Sequence, residues 1–549
     1  MADEKTQGAQ DAPAEEAGER LEAHEETASQ VGRSAALMSV LVVVSRVTGL
    51  LRTWGQARAL HLTVIGSCYT VANNLPNQLY ELVMGGMLVT AFLPVYLSTK
   101  AKLGREGSNA YASNLMSLVT LLMGALALLG FVFANALIWT QSFGATEEFD
   151  TDLTVYFFRF FAIEIVLYAL SSIFSGVLNA ERDYLWSNAA PIFNNLVCTA
   201  SFFLYAALAT TQPTLALLCL AIGNPLGVAL QVVLQMPSLR RHGIRLTPRV
   251  NLHDPAIRET LSIGLPTLVV TFASFATTTA QTNCALSVAV EGSSIAYYTR
   301  LFYTLPYAIL SIPITTAMFT ELSDWVSRDD MDGYVRGLAR GSSQIMFLLV
   351  PFALYLIVFS RPLIVVLSSG FTSAEVDMTA SYLAALAVSL PFYGVCTYLQ
   401  KACSSLRKMV FYMIATLVAS AAQIVCCFAF TQQFGLNVVA WSSLVVFVVN
   451  DVMVYWYLKR YLGHIGLRGI CLATLRGLGL GLAGAVAGWG LLQGLVAALG
   501  AYDGSTVRAF AYVVCSGMVS LVVTFGLAFV LKVPEAAVVR RIATRFLRR

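Results

Sequence analysis

Ser45-Arg46-Val47-Thr48-Gly49-Leu50-Leu51-Arg52, Leu75-Pro76-Asn77 and Ala91-Phe92-Leu93-Pro94 punctuate an apolar run that extends from residue 45 to residue 94. A guanidinium keeps its proton in a protein, so an arginine inside such a run must face a water-filled cavity, a counter-ion or an anionic ligand. Arg46, Arg52 and Arg58 stand six residues apart, which turns successive side chains by about 120° on an α-helix. They do not share a face. Arg46 and Arg52 cannot both snorkel to one end of the helix, whereas Arg58, nearest the outer end, can. Fixed charge held this way points to an anionic cargo. On the next segment Asn73, Asn77, Tyr80, Glu81 and Met84 recur at i, i+4 and i+7 and form one polar stripe.

Outward from this stretch, the 549-residue chain is 57% hydrophobic and only 12% charged, with a mean hydropathy of +0.69. A soluble globular chain carries about 25% charge, so this is a polytopic membrane protein. Apolar windows of about 20 residues predict helices near 34–60, 66–98, 113–140, 152–178, 187–210, 213–236 and 259–288. Seven more are predicted near 293–320, 338–359, 376–402, 408–431, 436–458, 470–497 and 507–531.

An even count puts both termini on one side, and the distribution of Lys and Arg says which. Alternate loops hold Lys100, Lys102 and Arg105, then Arg240, Arg241, Arg245 and Arg249, then Lys459, Arg460 and Arg468. The C-terminal tail adds Arg540, Arg541, Arg545, Arg548 and Arg549. The opposite loops show only Arg361 and Arg508 at helix edges and the acidic run Glu147, Glu148, Asp150 and Asp152. Both termini are expected in the cytoplasm. The net charge of +4 is then mostly a topology signal and gives no support to nucleic-acid binding.

Residues 1–33 carry nine acidic side chains and almost no large apolar ones, the composition of a disordered tail. The ten cysteines fall in apolar segments without C-x-x-C spacing and read as small buried hydrophobes. There is no phosphate-binding loop, no H-E-x-x-H and no G-x-S-x-G, so no enzyme class and no metal centre is expected. Any pumping must then draw on the membrane potential, an ion gradient or downstream use of the cargo.

Thr154, Tyr168 and Arg182 recur, in order and at one constant shift, as Thr379, Tyr393 and Arg407. Gly66-Ser67 with Leu75-Pro76 has a looser echo in Gly292-Ser293 with Leu305-Pro306. The expected architecture is therefore an all-α polytopic membrane protein of 14 transmembrane helices: two parallel six-helix repeats around a central cavity, plus two extra C-terminal helices. The expected divisions are an acidic tail over 1–33, lobes over 34–236 and 259–458, a basic loop over 237–258, the last two helices within 459–531 and a basic tail over 532–549.

Further polar groups are candidates. Arg300 sits between Tyr297, Tyr298 and Tyr303, with Pro306 just after it. Arg46 or Arg300 could serve a cavity or pair structurally with Glu81. Arg159 and Glu164 read as a local helix-side pair. Asn450-Asp451 and Lys401 are buried-polar candidates for which a position at the cytoplasmic edge is an equal alternative.

Ser45-Arg46-Val47-Thr48-Gly49-Leu50-Leu51-Arg52, Leu75-Pro76-Asn77 and Thr90-Ala91-Phe92-Leu93-Pro94 resemble the amino-terminal signature of the MurJ/MviN lipid II flippases of the MOP exporter superfamily. Tyr297-Tyr298-Thr299-Arg300-Leu301 with Pro306 resembles that family's eighth helix, and Ser175-Gly176-Val177-Leu178-Asn179 its fourth. The resemblance implies 14 helices and a carrier that flips an undecaprenyl-diphosphate-linked glycan, most simply lipid II, by alternating access in the bacterial cytoplasmic membrane. It implies that Arg46, Arg52 and Arg300 hold the diphosphate, that Asn77 is a cavity contact, and that the last two helices form a groove for the lipid tail. Ser45, Tyr80, Glu81 and Tyr303 complete the candidate substrate-binding set. Expected partners are the glycan lipid, membrane lipids and cell-wall synthesis proteins. The chain departs from the family pattern at Ser67, Tyr80, Gly85-Gly86 and Tyr303, where the family commonly has charged residues. An exporter of another lipid-linked polysaccharide unit, a multidrug antiporter of the same superfamily and a non-transporting scaffold are the alternatives. A cavity dominated by carboxylates would favour the drug antiporter.

Overall fold

The computed structural model describes residue 38 and residues 40–85, 92–367 and 370–535. The acidic segment 1–33, Gly86, Thr90-Ala91 and the arginines of the C-terminal tail lie outside the described residues. The described chain is helical, with α1 over residues 40–60, α2 Val64–Tyr80, a π-helical turn Glu81–Gly85, α3 Leu93–Val132, α4 Ala134–Ser142, α5 Thr151–Phe161 and α6 Glu164–Ala180. There follow α7 Tyr184–Leu208, α8 Pro213–Arg241, α9 Pro255–Leu286, α10 Gly292–Pro306, a second π-helical turn Tyr307–Ser311, α11 Ile312–Ser327 and α12 Met331–Val358. The last seven are α13 Ser360–Leu367, α14 Ser373–Ala387, α15 Leu390–Ser405, α16 Met409–Phe434, α17 Asn437–Leu462, α18 Leu467–Leu499 and α19 Thr506–Val530. Ten of the described helical spans are long and apolar enough to cross a membrane, or eleven if α14 and α15, bent by 43° at their junction, form one span.

Local chemistry sets the ends. Thr63, Asp150, Asp183 and Asp330 each accept a backbone N–H of the first turn that follows them, and Thr372 with Glu375 forms a reciprocal cap, satisfying donors that a helix leaves open. Gly104, at φ 67°, breaks α3 between the basic cluster of Lys100 and Lys102 and the long apolar stretch after it. Only a residue without a Cβ takes that conformation readily.

Buried apolar side chains fall into two main clusters, one drawn mostly from α2–α8 and the other mostly from α10–α17. We call these the N-terminal and C-terminal lobes. α9 lies along the seam, packing on α16 and α17 and also on α3 and α4. α18 packs on α12 and α19 through glycines: Gly477 and Gly481 meet Phe347 and Pro351, while Gly484 and Gly488 meet Thr524 and Ser520. The other faces of this pair leave Leu482, Val486, Trp489, Phe510, Met518 and Val522 exposed.

Features of the two lobes recur at nearly one spacing. The π-helical turns begin at Glu81 and Tyr307. Arg182 and Arg407, separated by the same interval to within one residue, both take a left-handed conformation, at φ 61° and 56°. The helices leading to these two arginines are both broken, α5 from α6 after Phe161 and α14 from α15 after Ala387.

Candidate functional site

Between the lobes lies a cavity of about 260 Å³. Asn74, Asn77 and Gln78 from α2 and Glu81 from the π-helical turn form one wall; Thr278, Gln281 and Thr282 from α9, Ser293, Tyr297 and Arg300 from α10, and Tyr382 from α14 form the other. Pro76 lies within the α2 wall and Pro306 ends α10. Each is soon followed by a π-helical turn, the first of which begins at Glu81, and Glu81 and Arg300 line the same cavity. The two are close enough to interact electrostatically, yet they form no ion pair among the described residues. Arg300 is exposed to the cavity and is its only cation among the described lining residues. Amides and hydroxyls supply the remaining polar surface, a set suited to an anionic head with sugar hydroxyls.

The cavity is shut at the end where α2 and α10 begin. The Ser67 and Ser294 hydroxyls are 3.2 Å apart, and Ser293 Oγ donates to the Ser67 carbonyl at 3.5 Å. Asn283 donates to the Thr140 carbonyl at 2.7 Å and accepts the Gly144 N–H at 2.8 Å. Ser67, one of the family departures, is thus a seam residue in this structure.

Arg52 lies behind the cavity wall. Its Nη2 donates to Asn224 Oδ1 at 3.1 Å, and Asn224 Nδ2 donates to Glu164 Oε2 at 3.0 Å and to Asn73 Oδ1. Glu164 is fully buried. An arginine and a glutamate far apart in sequence are thus joined through one amide in the N-terminal core. Arg52 Nε and Glu164 Oε1 have no hydrogen-bond partner among the described residues. Tyr297, which lines the cavity, is close enough to Arg52 to interact with it electrostatically.

Of the other candidates, Arg46 is exposed on α1, while the Ser45 carbonyl accepts Thr48 Oγ1 at 3.0 Å and Asn195 Nδ2 at 3.4 Å. Tyr80 bonds Ser172 and packs on Tyr168. Tyr303 is buried in the C-terminal lobe, bonded to Ser389 at 2.9 Å and stacked on Tyr393. The structure therefore brings Asn77, Glu81 and Arg300 together around one cavity, with Arg52 behind it, and directs Tyr80 and Tyr303 into the lobes. Arg159 makes no pair with Glu164: its guanidinium lies over Phe131, 5.8 Å from the ring centroid. Glu164, Asn224, Gln281 and Tyr382 were not singled out as site groups from the sequence. The run Thr277-Thr278-Thr279 with Gln281-Thr282-Asn283 in an apolar helix was the available signal for α9.

A profile of the lipid II flippase MurJ family matches residues 56–504. The chain is 26% identical over 528 residues to a probable lipid II flippase MurJ of Bdellovibrio bacteriovorus, covering 94% of this chain and 98% of that one. It is also 26% identical over 371 residues to the lipid II flippase MurJ of Burkholderia cenocepacia, covering 65% and 70%. Its fold resembles a solved lipid II flippase MurJ in an inward closed conformation, with a TM-score of 0.71 at 18% identity over 90% of this chain and 99% of that one. An inward-facing multidrug resistance MATE transporter of the MOP superfamily matches with a TM-score of 0.56 at 13% identity, covering 80% and 94%. With a family profile spanning most of its length, this chain belongs to the lipid II flippase MurJ family.

Proposed function

We propose that this protein carries lipid II, a polyprenyl-diphosphate-linked glycan, from the inner to the outer leaflet by alternating access. It is a transporter, not an enzyme. The observation that carries the cargo reading is Arg300, a cation without an ion-pair partner among the described residues, in an inter-lobe cavity ringed by amides and hydroxyls. A diphosphate offers that guanidinium two charge-assisted hydrogen bonds, and the amides of Asn77, Gln78 and Gln281 line the same cavity. A cavity of about 260 Å³ is at the small end for ligand sites, so this conformation is read as one that must widen to admit a whole headgroup. The mixed pair Glu81 and Arg300 does not make the carboxylate-dominated cavity that a cationic drug would favour.

The finer architecture belongs to the same proposal. Fourteen crossings, with both termini in the cytoplasm, agree with the Lys and Arg clusters of alternate loops. Two parallel six-helix repeats agree with the recurring π-helical turns and left-handed arginines. The Ser67–Ser294 seam then closes the outer mouth, and the exposed apolar faces of α18 and α19 accommodate the polyprenyl tail. The membrane potential or an ion gradient drives the cycle, and cell-wall synthesis proteins consume the delivered cargo.

The test uses cells whose only lipid II flippase is this protein. Arg300→Ala is expected to abolish growth and outer-leaflet lipid II at normal membrane levels of the protein, while Arg300→Lys keeps part of both. Normal growth of Arg300→Ala would overturn the cavity reading. Wild type that delivers a different polyprenyl-diphosphate glycan, and no lipid II, would overturn the cargo.

A further inference from the structure

Asp451 lies inside the C-terminal lobe with neither carboxylate oxygen hydrogen-bonded among the described residues. It is 14 residues into α17, about 21 Å from the start of that helix and about 16 Å from its end at 1.5 Å per residue. That is close to mid-membrane depth. The residue is 4% exposed, and both oxygens are buried without a partner among the described residues. Asn450 beside it donates to Thr416 Oγ1 at 3.0 Å and leaves its own Oδ1 unpaired. The edge position allowed by the sequence does not hold for Asp451.

The titratable groups that face Asp451 are Cys396 from α15, Tyr412 from α16 and Tyr455 one turn on along α17. Tyr412 Oη is 3.6 Å from Cys396 Sγ, and Tyr455 is bonded to Ser342 Oγ of α12 at 2.7 Å. Neither tyrosine hydroxyl reaches Asp451 as a donor. Lys401, the cation carried by α15, is exposed over the Phe319 ring, and no cation from α9 or α14 acts on Asp451. The polar contacts of those two helices, from Gln281 to Ser442 and Ser443 and from Asn437 to Ser381, lie at the other end of α17.

An ionised carboxylate without a partner in such a core is untenable, because neither water nor a counter-charge offsets the burial of a lone charge. With a proton it becomes a neutral acid that the site tolerates. We propose that Asp451 is a proton-binding site, loaded in this conformation and emptied when the C-terminal lobe rearranges and water reaches it, so that one proton moving down its gradient is coupled to one transport cycle. The O–H bond of the acid breaks on release, the proton passes to water, and reloading from the other side restores it. The 43° bend between α14 and α15 and the adjoining π-helical turn Tyr307–Ser311 supply the hinge next to Cys396. Coupling rests on the flippase function proposed above, whereas the protonation itself does not.

Two measurements on the full chain separate these. In infrared spectra of the purified protein at neutral pH, the carbonyl band of a protonated carboxylic acid is expected in wild type and should lose its Asp451 component in Asp451→Asn. An unchanged band in Asp451→Asn overturns the proposal without touching the flippase function. In proteoliposomes containing lipid II, a gradient of about one pH unit should shift the steady-state ratio of lipid II between the two leaflets by up to about tenfold in wild type, the limit for one proton per cycle. Asp451→Asn should flip with no response to the gradient, and Asp451→Glu should recover part of it. A full response in Asp451→Asn, or none in wild type that flips lipid II, overturns the coupling. Absence of any flipping in wild type, with the band still assigned to Asp451, overturns the flippase function and leaves the protonation standing.

Discussion

The two lobes share an outline but differ in how they handle buried charge. In the N-terminal lobe Arg52 and Glu164 are joined through Asn224. The shift that carries Arg182 onto Arg407 carries these three, to within one residue, onto Thr278, Ser389 and Asn450 of the C-terminal lobe. All three are neutral, and the next residue, Asp451, is an acid with no basic partner among the described residues. Glu181, held by Lys100, is answered by Leu406. One lobe holds an acid and a base joined through a single amide, while the other holds an acid with no base beside it among the described residues. A hydrogen-bonded network that ties α1, α2, α6 and α8 resists rearrangement, because moving one member leaves buried polar groups without partners, and a lone neutral acid does not. The N-terminal lobe thus has the build of a scaffold and the C-terminal lobe that of the moving part.

The largest expected effect breaks the Arg52–Asn224–Glu164 network. Glu164→Ala removes the acid that Asn224 links to Arg52 and leaves a cavity beside a buried amide, which should lower stability by about 3–5 kcal/mol, read as the melting temperature of the purified protein. Arg52→Met combined with Glu164→Leu should recover most of the loss. A single variant as stable as wild type would remove the pinning from the N-terminal lobe.

Rigidity can be compared by adding one methyl group to each lobe. A Cβ at Gly227 would fall 2.5 Å from Asn194 Oδ1 and 3.0 Å from the Asn194 backbone carbonyl, which cannot yield without moving α7. At Gly394 the nearest atoms are ends of side chains, Leu349 Cδ1 at 2.3 Å and Ile345 Cγ2 at 2.8 Å. Gly227→Ala should cost about 2–3 kcal/mol and Gly394→Ala about 1 kcal/mol. Equal costs in thermal unfolding would erase the distinction. Smaller still is Asp451→Asn, which replaces a neutral acid with a neutral amide and should change stability at neutral pH by less than about 1 kcal/mol.

Much of this organisation was legible before the structure, and what escaped shares one cause. Helices were legible because hydropathy is local: the α17 window of 436–458 lies close to the observed Asn437–Leu462. Asn77 and Glu81 were legible as a stripe because i, i+4 spacing puts them on one helix face. Glu164 was matched to Arg159, its near neighbour, because its route to Arg52 runs through an amide on a third helix. Asp451 was allowed an edge position because Lys459 and Arg460 follow it, yet α17 carries those cations two turns beyond. Directions of Tyr80 and Tyr303 depended on Ser172 and Ser389, hydroxyls 92 and 86 residues away. Local periodicity shows which face is polar; it does not show which distant group will answer it.

The smallest expected effect lies at the basic end of the N-terminal lobe, where the turn after α6 is tied to α3. Partial burial disfavours the ionised form of Glu181, but hydrogen bonds from Lys100 at 2.6 and 2.7 Å and from Tyr96 at 3.0 Å outweigh it and hold the carboxyl below the usual carboxylate range. A carboxyl lowered on folding contributes stability above its unfolded value, about 4.3 for glutamate, and loses it as the pH falls through the folded value. Lys100 is one-third exposed, at 34%, so solvent screening limits the pair to about 1 kcal/mol or less. Lys100→Met should lower the melting temperature slightly at neutral pH, and the gap to wild type should close as the pH is taken down to about 3. A gap that persists in acid would mean that Lys100 acts by packing its stem on Tyr96, and the acid–base contacts of the N-terminal lobe would then reduce to the Arg52–Asn224–Glu164 network.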